Sequence, residues 1–316
     1  MISLIQESLK YGVALLFGAS GEIVTEKAGN LNLGIPGVMC MGALGGCAGI
    51  SLYANMVGEY VLMSGFLTVL IAIIFAFLFG AIGGAIYCFL TVSLRANQNI
   101  TGLALTSFGF GMCKSLISDS LVFSSVGKYF KTLFPYEWAG VFGEIFLSYG
   151  PMFYLSIIIV LAMALVMKKT KTGLHLRAVG ENPATADAAG INVTAYKYFA
   201  TIIGCGIAGL GGLFYMLEVR GGNAATTLVG DIESIGWLAV ALVIFSVWRP
   251  SIAILCSFLF GICASLGSVI FVIPLQILQM LPYLVTIIVL IFTSIFGSKN
   301  VQPPASLGLN YFREDR

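Results

Sequence analysis

Residues 168–197 read KKTKTGLHLRAVGENPATADAAGINVTAYK, a polar island of about thirty residues between apolar segments that are each long enough to cross a bilayer. Inside the island, Glu181-Asn182-Pro183-Ala184-Thr185-Ala186-Asp187-Ala188-Ala189-Gly190 has the punctuation of a short helix. Asn182 suits the N-cap, where its side-chain oxygen accepts from the free amides of the first turn. Pro183 suits the first helical position, where no donor is lost. Gly190 suits the left-handed residue just past the end. The spacing predicts a small, alanine-faced helix held out of a membrane on its basic side, a shape built to enter a partner's groove.

Composition makes the membrane unavoidable. Of 316 residues, 59% are hydrophobic and 9% charged, with a mean hydropathy of +0.99. A soluble domain of this size has no interior large enough for so much apolar surface, so lipid is its solvent. The formal charge of +2 is too small to imply a nucleic-acid partner, and the basic residues are clustered rather than spread. The seven cysteines (Cys40, Cys47, Cys88, Cys113, Cys205, Cys256 and Cys263) fall within apolar runs without a C-x-x-C pair, and are expected to be small core residues. Glu7 and Lys10 replace the basic start of a cleaved signal, so the first apolar run is expected to be a retained span.

Candidate spans are 8–24, 33–55, 66–94, 100–122, 151–167, 198–218, 235–248, 251–273 and 281–297. The fold class expected is an all-α integral membrane protein, a polytopic bundle of about eight to ten transmembrane helices with broken or re-entrant segments. The third span is long and expected to tilt or kink at Gly80, Gly83 and Gly84; the seventh is short and expected to continue from a re-entrant segment. Arg95, Lys168, Lys169, Lys171, Arg177, Lys197, Arg249, Lys299, Arg313 and Arg316 fall on one side, which the positive-inside rule makes cytoplasmic. The loop 123–150 is then outside, and nine crossings place the N-terminus outside as well. One transmembrane domain over 1–316 is expected, with a coupling loop at 168–197 and a cytoplasmic tail at 298–316.

Small residues recur at helical spacing: Gly42, Gly45, Gly46 and Gly49; Gly80 and Gly84; Gly204, Ala208 and Gly212. These let helix backbones approach closely. Polar residues at membrane depth are costly unless they brace the bundle or line a path. Residues 22–37 carry Asn30, Asn32, Gly34, Pro36 and Gly37, as expected for a broken helix lining a cavity. Residues 95–102 place Asn97, Gln98, Asn99 and Thr101 at the start of a span, either as caps or as amides facing a sugar or base edge. The six candidates for a substrate path are therefore Asn30, Asn32, Asn97, Gln98, Asn99 and Thr101. Residues 218–236 form a third polar cluster, an outer gate, docking surface or plain loop. Tyr53, Tyr60, Tyr87, Trp237 and Trp248 suit an interfacial aromatic belt. No G-x-x-x-x-G-K-[ST] loop, H-E-x-x-H or nucleophile elbow occurs and no paired carboxylates are expected on one helix, so no residues carry an enzymatic reading and no metal or cofactor is expected on this chain.

Five segments together give the chain a resemblance to the permease subunits of ATP-binding-cassette importers, in the group of branched-chain amino acid, ribose and nucleoside permeases. They are Gly29 to Gly37 (GNLNLGIPG), Leu94 to Gln98 (LRANQ), Leu176 to Val193 (LRAVGENPATADAAGINV), Pro303 to Gly308 (PPASLG) and the weaker Leu281 to Thr286 (LPYLVT). The pattern is most similar to the nucleoside branch, which is labelled for simple sugars. The resemblance implies a multi-pass subunit of a bacterial cytoplasmic membrane that pairs with a second, similar permease as a heterodimer. It also implies cytoplasmic ATPase subunits holding ATP and magnesium, and a lipid-anchored or periplasmic binding protein outside. The coupling residues it implies are Arg177, Gly180, Glu181, Asn182, Pro183, Ala186, Asp187, Ala189 and Gly190. The chain departs from the family at Pro36, where Glu is common, and before Gly236-Trp237, where a basic residue is usual but Glu233 and Ser234 stand.

Amide-rich, weakly charged path candidates favour an uncharged nucleoside. A simple sugar such as ribose or a branched-chain amino acid is the alternative within the class. An ion-coupled secondary transporter is the alternative outside it, and it has no need of a docking helix.

Overall fold

The computed structural model describes residues 2–58, 63–117, 126–135, 138, 140–222, 228–266, 275–296 and 302–312. Nine long helices among these match the nine candidate spans in order. They are α1 (Ile2–Lys27), α2 (Ile35–Val57), α3 (Gly65–Cys88), α4 (Gln98–Leu116), α6 (Pro151–Lys169), α9 (Val193–Phe214), α10 (Leu228–Phe245), α11 (Pro250–Ser265) and α12 (Leu275–Phe296). Shorter helices are α5 (Gly140–Phe146) outside the bundle and α7 (Lys171–Glu181) and α8 (Pro183–Ala188) in the polar island. No strand occurs among the described residues. Five of the long helices meet a strict length and hydropathy requirement for spanning.

Ends of the helices alternate as the charge pattern predicts. Gln6 at the start of α1 donates to the Glu144 carbonyl of the outer loop at 2.8 Å. The far end of α1 reaches the polar island, where a Cβ on Gly180 would overlap the Lys27 carbonyl. Ser8 meets Ser265 at 2.5 Å, placing the end of α11 at the same end of the bundle as the start of α1.

Burial sorts the helices into centre and rim. The apolar windows of α2 and α9 are 83% and 89% buried, whereas those of α3 and α6 are 28% and 33% buried and face lipid. Glycine permits the central crossings. Gly21 of α1 and Gly204 of α9 face each other so closely that a Cβ on either would overlap the other's carbonyl. Gly42 of α2 meets Gly209, and Gly212 meets the Met39 carbonyl, in the same way. A Cβ on Gly80 would lie 2.5 Å from the Cys205 carbonyl oxygen. The small-residue stripes are helix contacts, the arrangement that substitutes for a hydrophobic drive in lipid.

Two expectations need correction, on the seventh span and on the aromatic belt. α3 is helical through Gly80, Gly83 and Gly84, which pack against neighbouring helices, and gives way to a π-helical turn at Phe89–Ser93. The seventh span begins at Leu228 rather than 235, so Asp231 and Glu233 are helical. Trp248 and Tyr87 are not belt residues. Tyr87 is fully buried and donates to the Leu31 carbonyl at 2.6 Å, and Trp248 is buried and donates to a carboxylate oxygen of Glu26. Tyr53 and Trp237 are half-buried, and Tyr60 lies outside the described residues.

Candidate coupling interface

The polar island folds as two helices. Thr170 caps α7 by accepting from the Gly173 amide at 3.1 Å. Glu181 closes α7 rather than opening the next helix, as the backbone turns extended at Asn182. Asn182 then accepts from the Thr185 amide at 3.0 Å, Pro183 takes the first helical position, and Gly190 adopts φ +83° beyond the end of α8. The capping logic read from the residues is the one that operates.

α8 has two unlike faces. Ala186 is buried with Val179 and Val193, against Ile191, Tyr196 and Tyr311. Ala184, Thr185, Ala188, Ala189 and Gly190 are exposed. The outward surface is therefore small and nearly free of charge, suited to close approach by another protein. Of the bracing residues, Arg177 donates through Nε to the Gly173 carbonyl at 3.4 Å within its own helix. Gly180 abuts the Lys27 backbone, which leaves no room for a side chain. His175 pairs with the Tyr196 hydroxyl at 2.8 Å and positions α7 on α9.

The tail supplies what local reading could not. The Ser306 amide and hydroxyl both donate to the Gly180 carbonyl, at 3.0 and 2.6 Å. The Gly308 amide donates to the Gly29 carbonyl at 3.3 Å, and the Ala305 amide to Glu181 Oε2 at 3.3 Å. Tyr311 donates to Asp187 Oδ2 at 2.9 Å, and Asn310 to the Arg95 carbonyl at 2.8 Å. Arg95 stacks over Phe312 at 4.7 Å. Thus the last residues tie α7, α8, the end of α1 and the start of α4 into one unit. The motif at 303–308 was the signal that pointed to this segment, but its contacts are separated by more than a hundred residues in sequence.

Ser306→Val is expected to remove the hydroxyl bond and crowd Gly29, whose own Cβ would lie 2.7 Å from Ser306 Oγ. A cost of roughly 1–3 kcal/mol for the stranded groups should release the tail. Limited proteolysis should then cut the tail severalfold faster than in the parent.

The six path candidates separate on inspection. The chain breaks between α1 and α2 at residues 28–34, as the Asn- and Gly-rich reading expected. Asn30 and Asn32 are fully buried there. Asn30 donates to Thr201 Oγ1 at 2.9 Å; Asn32 donates to Cys205 Sγ at 3.2 Å and accepts from the Gly34 amide at 2.9 Å. Gln98 accepts from the Leu31 amide at 2.7 Å, which brings it into the same cluster. Thr101 is buried one turn along α4. Asn97 is an exposed cap that accepts from the Ile100 amide at 3.1 Å, and Asn99 is exposed.

Two residues absent from that set complete the cluster. Glu22 is fully buried and accepts from the Asn32 amide at 3.1 Å through Oε1. Glu26, also buried, takes the Trp248 indole N–H. Glu22 Oε2 and Asn30 Oδ1 have no hydrogen-bond partner among the described residues. Glu22 and Glu26 stand four apart on α1, so a pair of carboxylates does share one helix, contrary to expectation; the spacing was visible in the sequence and the burial was not. Pro36, one departure from the family pattern, packs against Gly236, two residues beyond Ser234 of the other: a Cβ on Gly236 would lie 2.8 Å from Pro36 Cβ. In the third polar cluster, Arg220 and Asp231 pair at 3.1 Å, Tyr215 donates to Asp231 at 2.9 Å, and Asn223 lies outside the described residues.

Comparison with known proteins follows the same lines. The chain is 32% identical to the nucleoside ABC transporter permease protein NupC of Lactococcus lactis, over 98% of this chain and 96% of that one. It is 33% identical to a putative glucose ABC transporter permease protein, TsgC13 of Haloferax volcanii, over 83% and 76%. It is 28% identical to the guanosine ABC transporter permease protein NupQ of Bacillus subtilis, over 99% and 97%. With residues 4–290 matching the family described as branched-chain amino acid transport system / permease component, this multi-pass membrane protein belongs to that permease family.

Proposed function

We propose that this chain forms the translocation path of an ATP-binding-cassette importer for nucleosides, in the cytoplasmic membrane of a bacterium. The observation that carries the proposal is the capped helix α8, presented with a small uncharged face on the basic side of a chain whose full length is similar to such permeases. Cytoplasmic ATPase subunits, which hold the ATP and magnesium, grip α8. Their closure reaches the bundle through Gly180 against Lys27 and through the tail. The chain itself performs no catalysis and holds no cofactor. A second, similar permease completes the path as a heterodimer, and an extracytoplasmic binding lipoprotein delivers the solute.

An uncharged, hydrogen-bonding cargo fits the polar break better than an amino acid does. The groups described there are amides, a hydroxyl and buried acids, and among the described residues their hydrogen bonds involve no cation that could receive a carboxylate. The similarity to a permease named for glucose keeps a sugar as the second reading.

The test is ATP-dependent uptake of radiolabelled adenosine, guanosine, ribose and leucine by proteoliposomes containing the complete complex. Nucleoside uptake that needs ATP supports the proposal; uptake driven by a proton gradient without ATP overturns it. Asn30→Leu should raise the KM for nucleoside at least severalfold, because it removes an acceptor with no other buried partner. An unchanged KM would take Asn30 off the route.

A further inference from the structure

On the inner side of the coupling loop lies a cavity of about 350 Å³, to which Asp187 and Gly190 of that loop contribute. Its walls include Thr91 and Arg95 beyond α3, the first turn of α9, Lys197 one turn later, and Tyr311 of the tail. Three independent features of this cavity call for negative charge.

Lys197 is the first. It is 3% exposed, and among the described residues its ammonium has no hydrogen bond or ion pair; the ion pair found there is Arg220 with Asp231. What surface it keeps belongs to a residue that lines the cavity, and an ammonium so little hydrated, with no counter-charge among the described residues, favours an anion beside it. Arg95 is the second, a cation at the cavity's edge held over Phe312. The third is the start of α9, a helix of 22 residues. Asn192 takes the Ala195 amide at 3.0 Å; Val193 and Thr194, whose amides have no partner among the described residues, line the cavity at the positive end of the helix dipole. Opposing them is the Asp187 carboxylate, already engaged by the Tyr311 hydroxyl.

We propose that this cavity binds a phosphate-bearing anion, with Lys197 as its buried counter-ion, Arg95 as a second cation and the first-turn amides of α9 as donors. Phosphate suits the arrangement because its oxygens accept from several directions at once, as they do at helix N-termini generally. Two sources share this chemistry. Leu94, next to Arg95 in the chain, and Phe199, two residues past Lys197, are exposed apolar side chains that lipid can cover, so a phospholipid can place its headgroup here; free phosphate can do the same. Either one bridges the end of α3, the start of α9 and the tail, and so fastens the coupling loop to the bundle.

The full chain is reconstituted in phosphatidylcholine nanodiscs and titrated with inorganic phosphate at constant ionic strength. In a parallel arm, phosphatidylglycerol replaces part of the lipid and phosphate is left out. Thermal unfolding is the readout, since a ligand that binds the folded state raises its midpoint. A saturable rise is expected in at least one arm, and the responding arm identifies the source. Lys197→Met should lose the response, whereas Lys197→Arg should keep it. Arg95→Gln should shift the half-saturating concentration upward about tenfold. A parent protein indifferent to both sources overturns the proposal, as does a Lys197→Met or Arg95→Gln variant that responds at the same concentration as the parent.

Discussion

Gly42→Val is expected to yield no monodisperse protein in detergent. A Cβ on Gly42 would overlap the Cα, carbonyl carbon and carbonyl oxygen of Gly209. Backbone atoms cannot rotate aside as a side-chain tip can, so α2 must withdraw from α9. α9 has nowhere to retreat, because Gly80 of α3 meets its Cys205 carbonyl and Gly21 of α1 meets Gly204. Overpacking of a tight core costs about 1–3 kcal/mol and occasionally more. The upper end applies where two backbones touch, and branched valine adds bulk beyond the first carbon. Size-exclusion profiles of a fluorescent fusion provide the measurement. Gly111→Ala in α4 is the control, because nothing lies within 4 Å of its Cβ position. It should match the parent or gain about 0.5–1 kcal/mol from the better helix former. A Gly42→Val protein as monodisperse and heat-stable as the parent would mean that α2 and α9 do not cross at this point.

Ala188→Trp is expected to abolish ATP-driven uptake while leaving the unfolding midpoint unchanged. Ala188 is the last residue of α8 and is exposed, so the isolated chain has room for an indole. A partner groove shaped to a small face does not. Losing close contact over so short a helix should lower uptake by about a hundredfold or more, equivalent to roughly 2.7 kcal/mol of docking energy. Co-purification of the ATPase subunit should fall in parallel. Ala184→Trp is expected to behave alike, being exposed one turn earlier. Gly180 and Ala186 are poorer probes although they belong to the same motif, because both face inward and a bulky residue there disturbs the fold first. Normal uptake in both tryptophan variants would remove α8 from the motor contact.

These two experiments fall on opposite sides of what a linear reading reveals. The caps of α8 were legible because Asn182, Pro183 and Gly190 act on backbone within a few residues of themselves. The nine spans were legible because twenty apolar residues in lipid have few options other than a helix. The break at 28–34 announced itself through Asn30, Asn32 and Gly34, which a continuous span does not tolerate. Partnerships across the bundle were not legible. Nothing near Trp248 says that its indole meets Glu26, and nothing near Ser306 says that it seals Gly180. Tyr87 looked like a belt residue because tyrosines at span ends usually are, and only the position of the Leu31 carbonyl made it an internal donor. The seventh helix was cut short because Asp231 and Glu233 resemble loop residues, whereas Asp231 is offset by Arg220 and Tyr215.

The staple formed by residues 305–312 also carries a consequence for biosynthesis. Its partners at Gly29, Arg95, Gly180 and Asp187 leave the ribosome long before it does. The helices that cross the membrane can therefore all be made before the polar island receives the contacts that hold it. A ribosome that has passed Phe296 has still to supply the residues that bond Gly180 and Asp187.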